Sequence, residues 1–195
     1  MRFVLLKRVY LNGKKIHEQP CDSFLYNLVA LLCNSFGGSA NVIDIDGNNI
    51  DERMIWHDWF NTWYTKTVIA KPYFVVNAPE GDDSYGLIVG RSNIPELLTD
   101  RMLRDKIPHG SEDGKLYYRE CTVSDVIENE DGFSITISRQ FVNYGTVNIE
   151  VGEMGLAGKG AYGKSVLIIR DIWNPKVVVE SDDIATFEFE IQIKS

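Results

Sequence analysis

Two segments near the end of the chain alternate apolar and polar residues almost without interruption. In FSITISRQF (133–141) every second side chain is apolar except Arg139, which falls in the apolar series. In ATFEFEIQI (185–193) two phenylalanines and two isoleucines alternate with Thr, Glu and Gln. Because successive side chains of a β-strand point to opposite faces of a sheet, this period of two predicts strands with one buried face.

Turn signals separate these segments from further strand-like stretches. LYYRECTVSDVIE, TVNIEV, SVLIIRDI and KVVVE are rich in β-forming residues, and the turns Glu130-Asp131-Gly132 and Asn143-Tyr144-Gly145 lie between some of them. Short strands with tight turns at this spacing are typical of antiparallel sandwiches and barrels. We therefore expect a mainly β fold, with an antiparallel β-sandwich over residues 83–195.

The first 82 residues combine β-hairpins with one helix, and we expect an α+β portion there. Asn12-Gly13 tolerates the positive φ of a tight turn and predicts a hairpin over 2–18. Apolar residues at three- and four-residue steps predict an amphipathic helix over 22–36. Asp22 or Ser23 would cap this helix, and Gly37-Gly38 would end it. This portion and the sandwich are expected either as two domains or as one continuous domain with a shared core.

The middle of the chain contains less regular patterns. A second hairpin is predicted over 40–50, around DGNN, and a strand over 67–78 that Pro72 breaks or moves to a sheet edge. A short strand is predicted at 85–90. Residues 93–107 predict a short helix with Pro95 in its first turn.

Composition excludes several classes of protein. The 195-residue chain has a formal net charge of −8, and its basic residues are scattered among acids, so we expect no direct binding of nucleic acid. Three cysteines without a C-x-x-C pair fit a reducing compartment, and the three dispersed histidines show no zinc-ligand spacing. No apolar stretch approaches the ~20 residues of a membrane span, and no secretory signal is expected at the start of the chain.

Residues 158–165, GKGAYGKS, match the phosphate-binding pattern G-x-x-x-x-G-K-[ST]. In such a site Gly158 and Gly163 would shape the loop, Lys164 would reach the terminal phosphates, and Ser165 would hold magnesium. A phosphate-binding loop must lead into a helix, whereas VLIIRDI followed by Asn174-Pro175 favours a strand. We therefore expect a glycine-rich hairpin loop without a bound cofactor.

Three of the four tryptophans lie close together in the sequence. Trp56, Trp59 and Trp63 accompany Phe60 and Tyr64, in a spacing that fits a helix or an aromatic-rich loop. Such a cluster belongs either to the core or to a buried anchor at a subunit interface. We take Trp56, Trp59, Phe60 and Trp63 as candidate interface residues.

The order of several short motifs resembles a family of tailed-bacteriophage virion structural proteins, over about residues 22–194. The motifs that carry the resemblance are YGLIVG (85–90), Leu103–Ile107 with His109-Gly110, Leu116-Tyr117-Tyr118, ISRQFVN (137–143), EMGL (153–156), LIIRD (167–171), the final alternating strand, and the helix that ends at Phe36-Gly37-Gly38. The sequence departs from the family pattern at Arg91-Ser92-Asn93, where a turn richer in glycine and threonine is usual. The resemblance implies a β-sandwich without enzymatic activity that decorates the capsid or belongs to the neck or tail.

The leading hypothesis is therefore a non-enzymatic virion component made in the host cytoplasm. It would bind other virion proteins and further copies of itself through symmetric contacts. The Trp56–Tyr64 cluster, the Gly158–Gly163 loop and the terminal strand are the candidate contact elements. Two alternatives remain: a nucleotide-binding protein that uses Gly158–Ser165, and a glycan-binding fibre module that uses exposed tryptophans.

Overall fold

The structure is a computed structural model of the chain. It describes residues 2–21, 25–27, 29–30, 42–50, 75–130, 132–160 and 164–194. The strands are β1 (Arg2–Leu11), β2 (Lys14–Pro20), β3 (Val42–Ile43), β4 (Asn49–Ile50), β5 (Gly86–Gly90), β6 (Tyr117–Val123), β7 (Ile127–Asn129), β8 (Gly132–Val142), β9 (Ile149–Lys159), β10 (Ser165–Val179) and β11 (Ile184–Lys194). Every pairing between these strands is antiparallel, which confirms the mainly β, antiparallel class.

A large sheet contains strands from both ends of the chain. Its order is β2-β1-β11-β8-β6, and β7 also pairs with β8. The predicted hairpin over 2–18 forms β1 and β2, with Asn12 and Gly13 at φ of 48° and 80° in the turn. Because β1 pairs with β11 over its whole length, the first hairpin extends the sheet formed by β6, β7, β8 and β11, whereas β3 and β4 form a separate two-stranded sheet.

A smaller sheet, in the order β10-β9-β5, supplies the second set of core residues. Trp173 of β10 lies against Phe187 of β11, with ring centroids 6.0 Å apart, and Phe187 meets Phe141 of β8 edge-on. All three side chains are fully buried. The central apolar residues of β8 and β11 therefore face the smaller sheet, as the period of two predicts, whereas Phe133 and Ile193 at the strand ends are exposed.

The strands of the smaller sheet are longer than the sequence predicts. The predicted strand TVNIEV continues as β9 through the glycine-rich stretch to Lys159, and SVLIIRDI and KVVVE form the single strand β10. The pairing of β10 with β9 shifts between Ile172 and Val177, around the cis peptide bond Asn174-Pro175. The two predicted strands are thus one strand with an irregularity between them.

The helix predicted over 93–107 is wrong, since these residues form turns and irregular backbone. Buried side chains of the smaller sheet bind the backbone groups that a helix would pair internally: Arg170 binds the Ile94 carbonyl, and Glu153 binds the N–H groups of Arg104 and Asp105. Tertiary contacts therefore override the local propensity.

The amphipathic helix predicted over 22–36 is not seen as an element. Residues 26, 27, 29 and 30 are helical, whereas residues 22–24, 28 and 31–36 lie outside the described residues. The N–H groups of Leu25 and Tyr26 donate to the carbonyls of Ile168 and Leu98, 3.1 and 3.0 Å away. These contacts attach the short helical stretch to β10 and to the connection between β5 and β6.

The hairpin predicted over 40–50 is confirmed as β3 and β4. Of the strand predicted over 67–78, residues 67–74 lie outside the described residues, and Val75 forms an isolated bridge to Lys159. No helix within the described part of the chain is long and apolar enough to cross a membrane.

Candidate functional site

The segment that matches the phosphate-binding pattern connects two neighbouring strands. Gly158 lies in β9, Ser165 begins β10, and Gly163 lies outside the described residues. Ser165 is buried, and its carbonyl accepts a hydrogen bond from the Ile45 N–H at 3.1 Å. The prediction that a strand follows Ser165 is confirmed, so the segment leads into a strand where a phosphate-binding loop would lead into a helix.

The ammonium group of Lys164 is paired with acidic side chains of the β3–β4 hairpin. Its Nζ lies 3.1 Å from Asp44 Oδ2 and 3.9 Å from Asp46 Oδ2. Asp44 Oδ1 also accepts the backbone N–H groups of Asp46 and Asn48 at 3.1 and 2.7 Å. Lys164, which would bind phosphate in a nucleotide site, is therefore paired with the carboxylate that organises the turn of the β3–β4 hairpin.

The electrostatics of Asp44 agree with this role. Burial alone would raise the pKa of its carboxyl, but the hydrogen bonds from the Asn48 backbone and from Lys164 outweigh burial and hold the pKa below its ordinary value. The site is thus built to keep a carboxylate charged. A phosphate group at Lys164 would meet that charge, and like charges at short distance repel.

The sequence also predicts two other contact elements, the tryptophan cluster and the terminal strand. Trp56, Trp59, Phe60 and Trp63 lie outside the described residues. The terminal strand, β11, is internal, because β1 pairs with one of its edges and β8 with the other. Its backbone is therefore not available for pairing with another copy of the chain.

The connection between β5 and β6 displays apolar side chains that the sequence assigned to a helix face. Ile94, Leu97, Leu98 and Met102, which we call the apolar loop surface, are each more than half exposed. An open cavity of about 210 Å³ lies beside Leu98, and Tyr26 and Ile43 contribute to its lining. These four residues fall within nine consecutive positions of the chain, and exposed apolar side chains that form a contiguous patch mark interaction sites on soluble proteins.

A buried charge network holds the backbone of this connection. Arg170 Nε lies 2.7 Å from Glu153 Oε2, and Arg170 Nη1 lies 2.9 Å from Asp100 Oδ2. The second Nη of Arg170 donates to the Ile94 carbonyl at 2.9 Å. Glu153 Oε1 accepts the Asp105 N–H at 2.8 Å. The loop is therefore pinned at 94, 100, 104 and 105 while the four side chains of the apolar loop surface are exposed.

Arg139, the charged residue in the apolar series of β8, is nearly fully buried, and its guanidinium lies 4.8 Å from the centroid of the Tyr118 ring. Its guanidinium donates to five carbonyls, at distances between 2.6 and 3.2 Å. The acceptors are the carbonyls of Pro79, Asp82, Tyr85, Leu87 and Arg119. Burial lowers the pKa of the guanidinium. Arg139 therefore ties the loop before β5 to both sheets.

The buried charged side chains have different partners. Arg170 pairs with Glu153 and Asp171 pairs with Lys7, whereas Arg139 binds no carboxylate among the described residues. Within the described ranges, no group of three or more His, Cys, Asp or Glu side chains is arranged to hold a metal ion.

The missed feature is the apolar loop surface. Its signal in the sequence was weak, because Leu97, Leu98 and Met102 fit a single helix face only loosely.

Comparison of the chain with models of known protein families, with curated proteins and with solved structures finds no match.

Proposed function

We propose that this protein is a non-enzymatic structural component of a tailed-phage virion, which binds other virion proteins and further copies of itself. The two sheets then form the β-sandwich expected from the sequence. Contacts that cross between the sheets, such as Trp173 on Phe187 and Lys7 on Asp171, support that architecture.

The observation that carries the proposal is the apolar loop surface. Four large apolar side chains are exposed on a backbone that the buried Arg170–Glu153 pair holds in place. A rigid apolar surface loses little conformational entropy when it binds, so more of its contact energy appears as affinity. This is the arrangement that a subunit interface needs.

The viral assignment depends on the resemblance of motifs such as ISRQFVN and LIIRD to virion structural proteins. The chemistry of the loop at Gly158–Ser165 is consistent with that assignment, because Lys164 is paired with Asp44. Symmetric assembly multiplies weak contacts, so a modest apolar surface on each subunit is sufficient.

Native mass spectrometry of the purified protein tests the interaction surface. We expect a closed homo-oligomer that shifts toward monomer in Leu97→Asp and Leu98→Asp, since a charge buried at an interface is costly. Val147→Asp is the matched control, because Val147 is about equally accessible but lies in the loop before β9. Equal dissociation in all three variants would argue against this surface.

Electron microscopy of phage particles that carry a labelled copy tests the viral assignment. We expect the label at symmetric positions on the capsid, neck or tail. Recovery of the protein only from infected-cell extract, and never from purified particles, would refute the assignment.

A further inference from the structure

Lys7 and Asp171 form a buried contact between the two sheets. Lys7 lies on the inward face of β1, between Leu5 and Val9, and Asp171 lies on β10. Lys7 Nζ is 2.8 Å from Asp171 Oδ1, although the two residues are 164 positions apart in the chain. Both side chains are less than a tenth exposed. An amine and a carboxyl group are therefore held together away from water.

Aromatic and apolar side chains surround the pair. Lys7 Nζ lies 4.8 Å from the centroid of the fully buried Trp173 ring, and the register of β1 and β11 places Phe189 beside Lys7. Asp171 is the only acidic side chain that contacts Lys7 in the described part of the chain. Lys7 Nζ also donates to the backbone carbonyl of Ile172, so the backbone at Ile172 contacts both members of the pair.

The two oxygens of Asp171 have different environments. Oδ1 accepts both Lys7 Nζ and, at 2.7 Å, the backbone N–H of Ile172. Oδ2 is buried and has no hydrogen-bond partner among the described residues. A buried carboxylate oxygen without a partner is costly and requires an explanation.

From this geometry we propose that Lys7 and Asp171 condense to form an intramolecular amide bond. A proton passes from the ammonium to the carboxylate, giving a neutral amine and a carboxylic acid. Lys7 Nζ attacks Asp171 Cγ, and the new N–C bond gives a tetrahedral intermediate, from which the Cγ–Oδ2 bond then breaks. Oδ2 leaves as water, which carries one proton from the carboxylic acid and one from the amine. No oxidant or other reactant is needed.

The backbone supplies what this reaction requires. The Ile172 N–H donates to Oδ1, where negative charge develops in the tetrahedral intermediate, and so acts as an oxyanion donor. Reacting groups fixed in contact reach effective concentrations on the order of 10⁵ M or more. The product has no charged group at this position and no unpartnered Oδ2.

The bond would join β1 to β10 and therefore link the two sheets covalently. Like a disulfide, it would restrict the unfolded chain. This inference does not depend on the proposed viral function, because it follows from the core alone.

Mass spectrometry of the purified full chain under denaturing conditions tests the bond. We expect the wild-type mass to be lower than the sequence mass by one water molecule. After trypsin digestion we expect residues 3–8 joined to residues 171–176, with no cleavage after Lys7. A wild-type chain at its full sequence mass, with these two peptides separate, would overturn the proposal.

Two variants separate this bond from another loss of water. An aspartate followed by glycine, as at Asp46-Gly47, can also lose water by forming a cyclic imide. Lys7→Arg cannot form the amide and is expected to show its full mass, whereas Lys15→Arg, an exposed control, is expected to keep the loss. Persistence of the loss in Lys7→Arg would overturn the proposal. The linked wild-type peptide decides the matter even if Lys7→Arg does not fold.

Discussion

Arg170 and Glu153 form a fully buried ion pair, with Arg170 Nε 2.7 Å from Glu153 Oε2. The pair joins neighbouring strands, and the remaining groups of both side chains bind the connection between β5 and β6. The pair therefore also fixes the backbone of this connection, which carries the apolar loop surface.

We expect Glu153→Gln to lower the free energy of unfolding by about 3–5 kcal/mol, since it leaves the buried Arg170 guanidinium without its nearest carboxylate. The new amide NH₂ would also face a donor, either Arg170 or the Asp105 N–H. Denaturant-induced unfolding measures the change. The control is Glu150→Gln, whose exposed pair with Lys176 should contribute less than about 1 kcal/mol. Similar losses in both variants would show that the buried pair has no special role.

We expect Arg139→Lys to destabilise the fold by at least about 3 kcal/mol, because an ammonium group cannot reach five separate carbonyls and each buried carbonyl left unpaired costs about 1–3 kcal/mol. Unfolding in guanidinium chloride would show the loss. Arg119→Lys is the matched control, since the Arg119 side chain binds only Gln140 at the surface. If Arg139→Lys leaves the free energy of unfolding unchanged, the five carbonyls bind other donors in the variant.

The large sheet could be predicted from the sequence because each of its strands carries its own signal. β8 and β11 alternate apolar and polar residues, and Asn12-Gly13 specifies the turn of the first hairpin. The pairing of β1 with β11 brings together residues about 190 positions apart, and no local pattern indicates such a contact.

The arrangement around the two buried arginines was less predictable. An arginine in an apolar series signals a buried cation but not its partners, and Arg139 binds carbonyls from two separate segments, residues 79–87 and Arg119. Residues 93–107 have apolar residues at near-helical spacing, yet their backbone groups bind Arg170 and Glu153 instead of one another. In both cases, partners that are distant in the sequence determine the local structure.

The depressed pKa of Asp44 predicts how the β3–β4 hairpin responds to acid. The folded-state pKa lies below the unfolded value of about 3.9. The charged carboxylate therefore stabilises the fold fully above the unfolded value, and this contribution is lost as pH falls through the folded value. We expect the difference in unfolding free energy between wild type and Asp44→Asn to be constant near neutral pH and to shrink below about pH 4.

The control repeats the Asp44→Asn comparison in a protein that also carries Lys164→Met. Removing the ammonium group takes away one of the interactions that lower the pKa of Asp44, so the pH-dependent loss should be smaller and should be complete at a higher pH. Urea unfolding at several pH values measures both series. A difference that grows on acidification would have the wrong sign for a charged Asp44.

The pairing of Lys164 with Asp44 predicts that the glycine-rich loop does not bind nucleotide. We expect millimolar ATP or GTP with magnesium to leave the melting temperature unchanged, because a ligand that binds only the folded state would raise it. Lys164→Ala should lower the stability by no more than about 1 kcal/mol, as for a partly exposed ion pair. Magnesium-dependent stabilisation that disappears in Lys164→Ala would restore the nucleotide-binding alternative.

Cys121 should be unreactive in the native protein. Burial raises the pKa of its thiol, and its Sγ accepts the Leu87 N–H at 3.4 Å inside the core. The thiolate is the reactive form, so both its scarcity and its burial slow alkylation. Peptide-level mass spectrometry after iodoacetamide treatment at pH 8 should show Cys121 modified at least about tenfold more slowly in native than in unfolded protein. Equal rates would mean that the contact between β5 and β6 opens readily, and the loop pinned by Arg139 would then not be rigid.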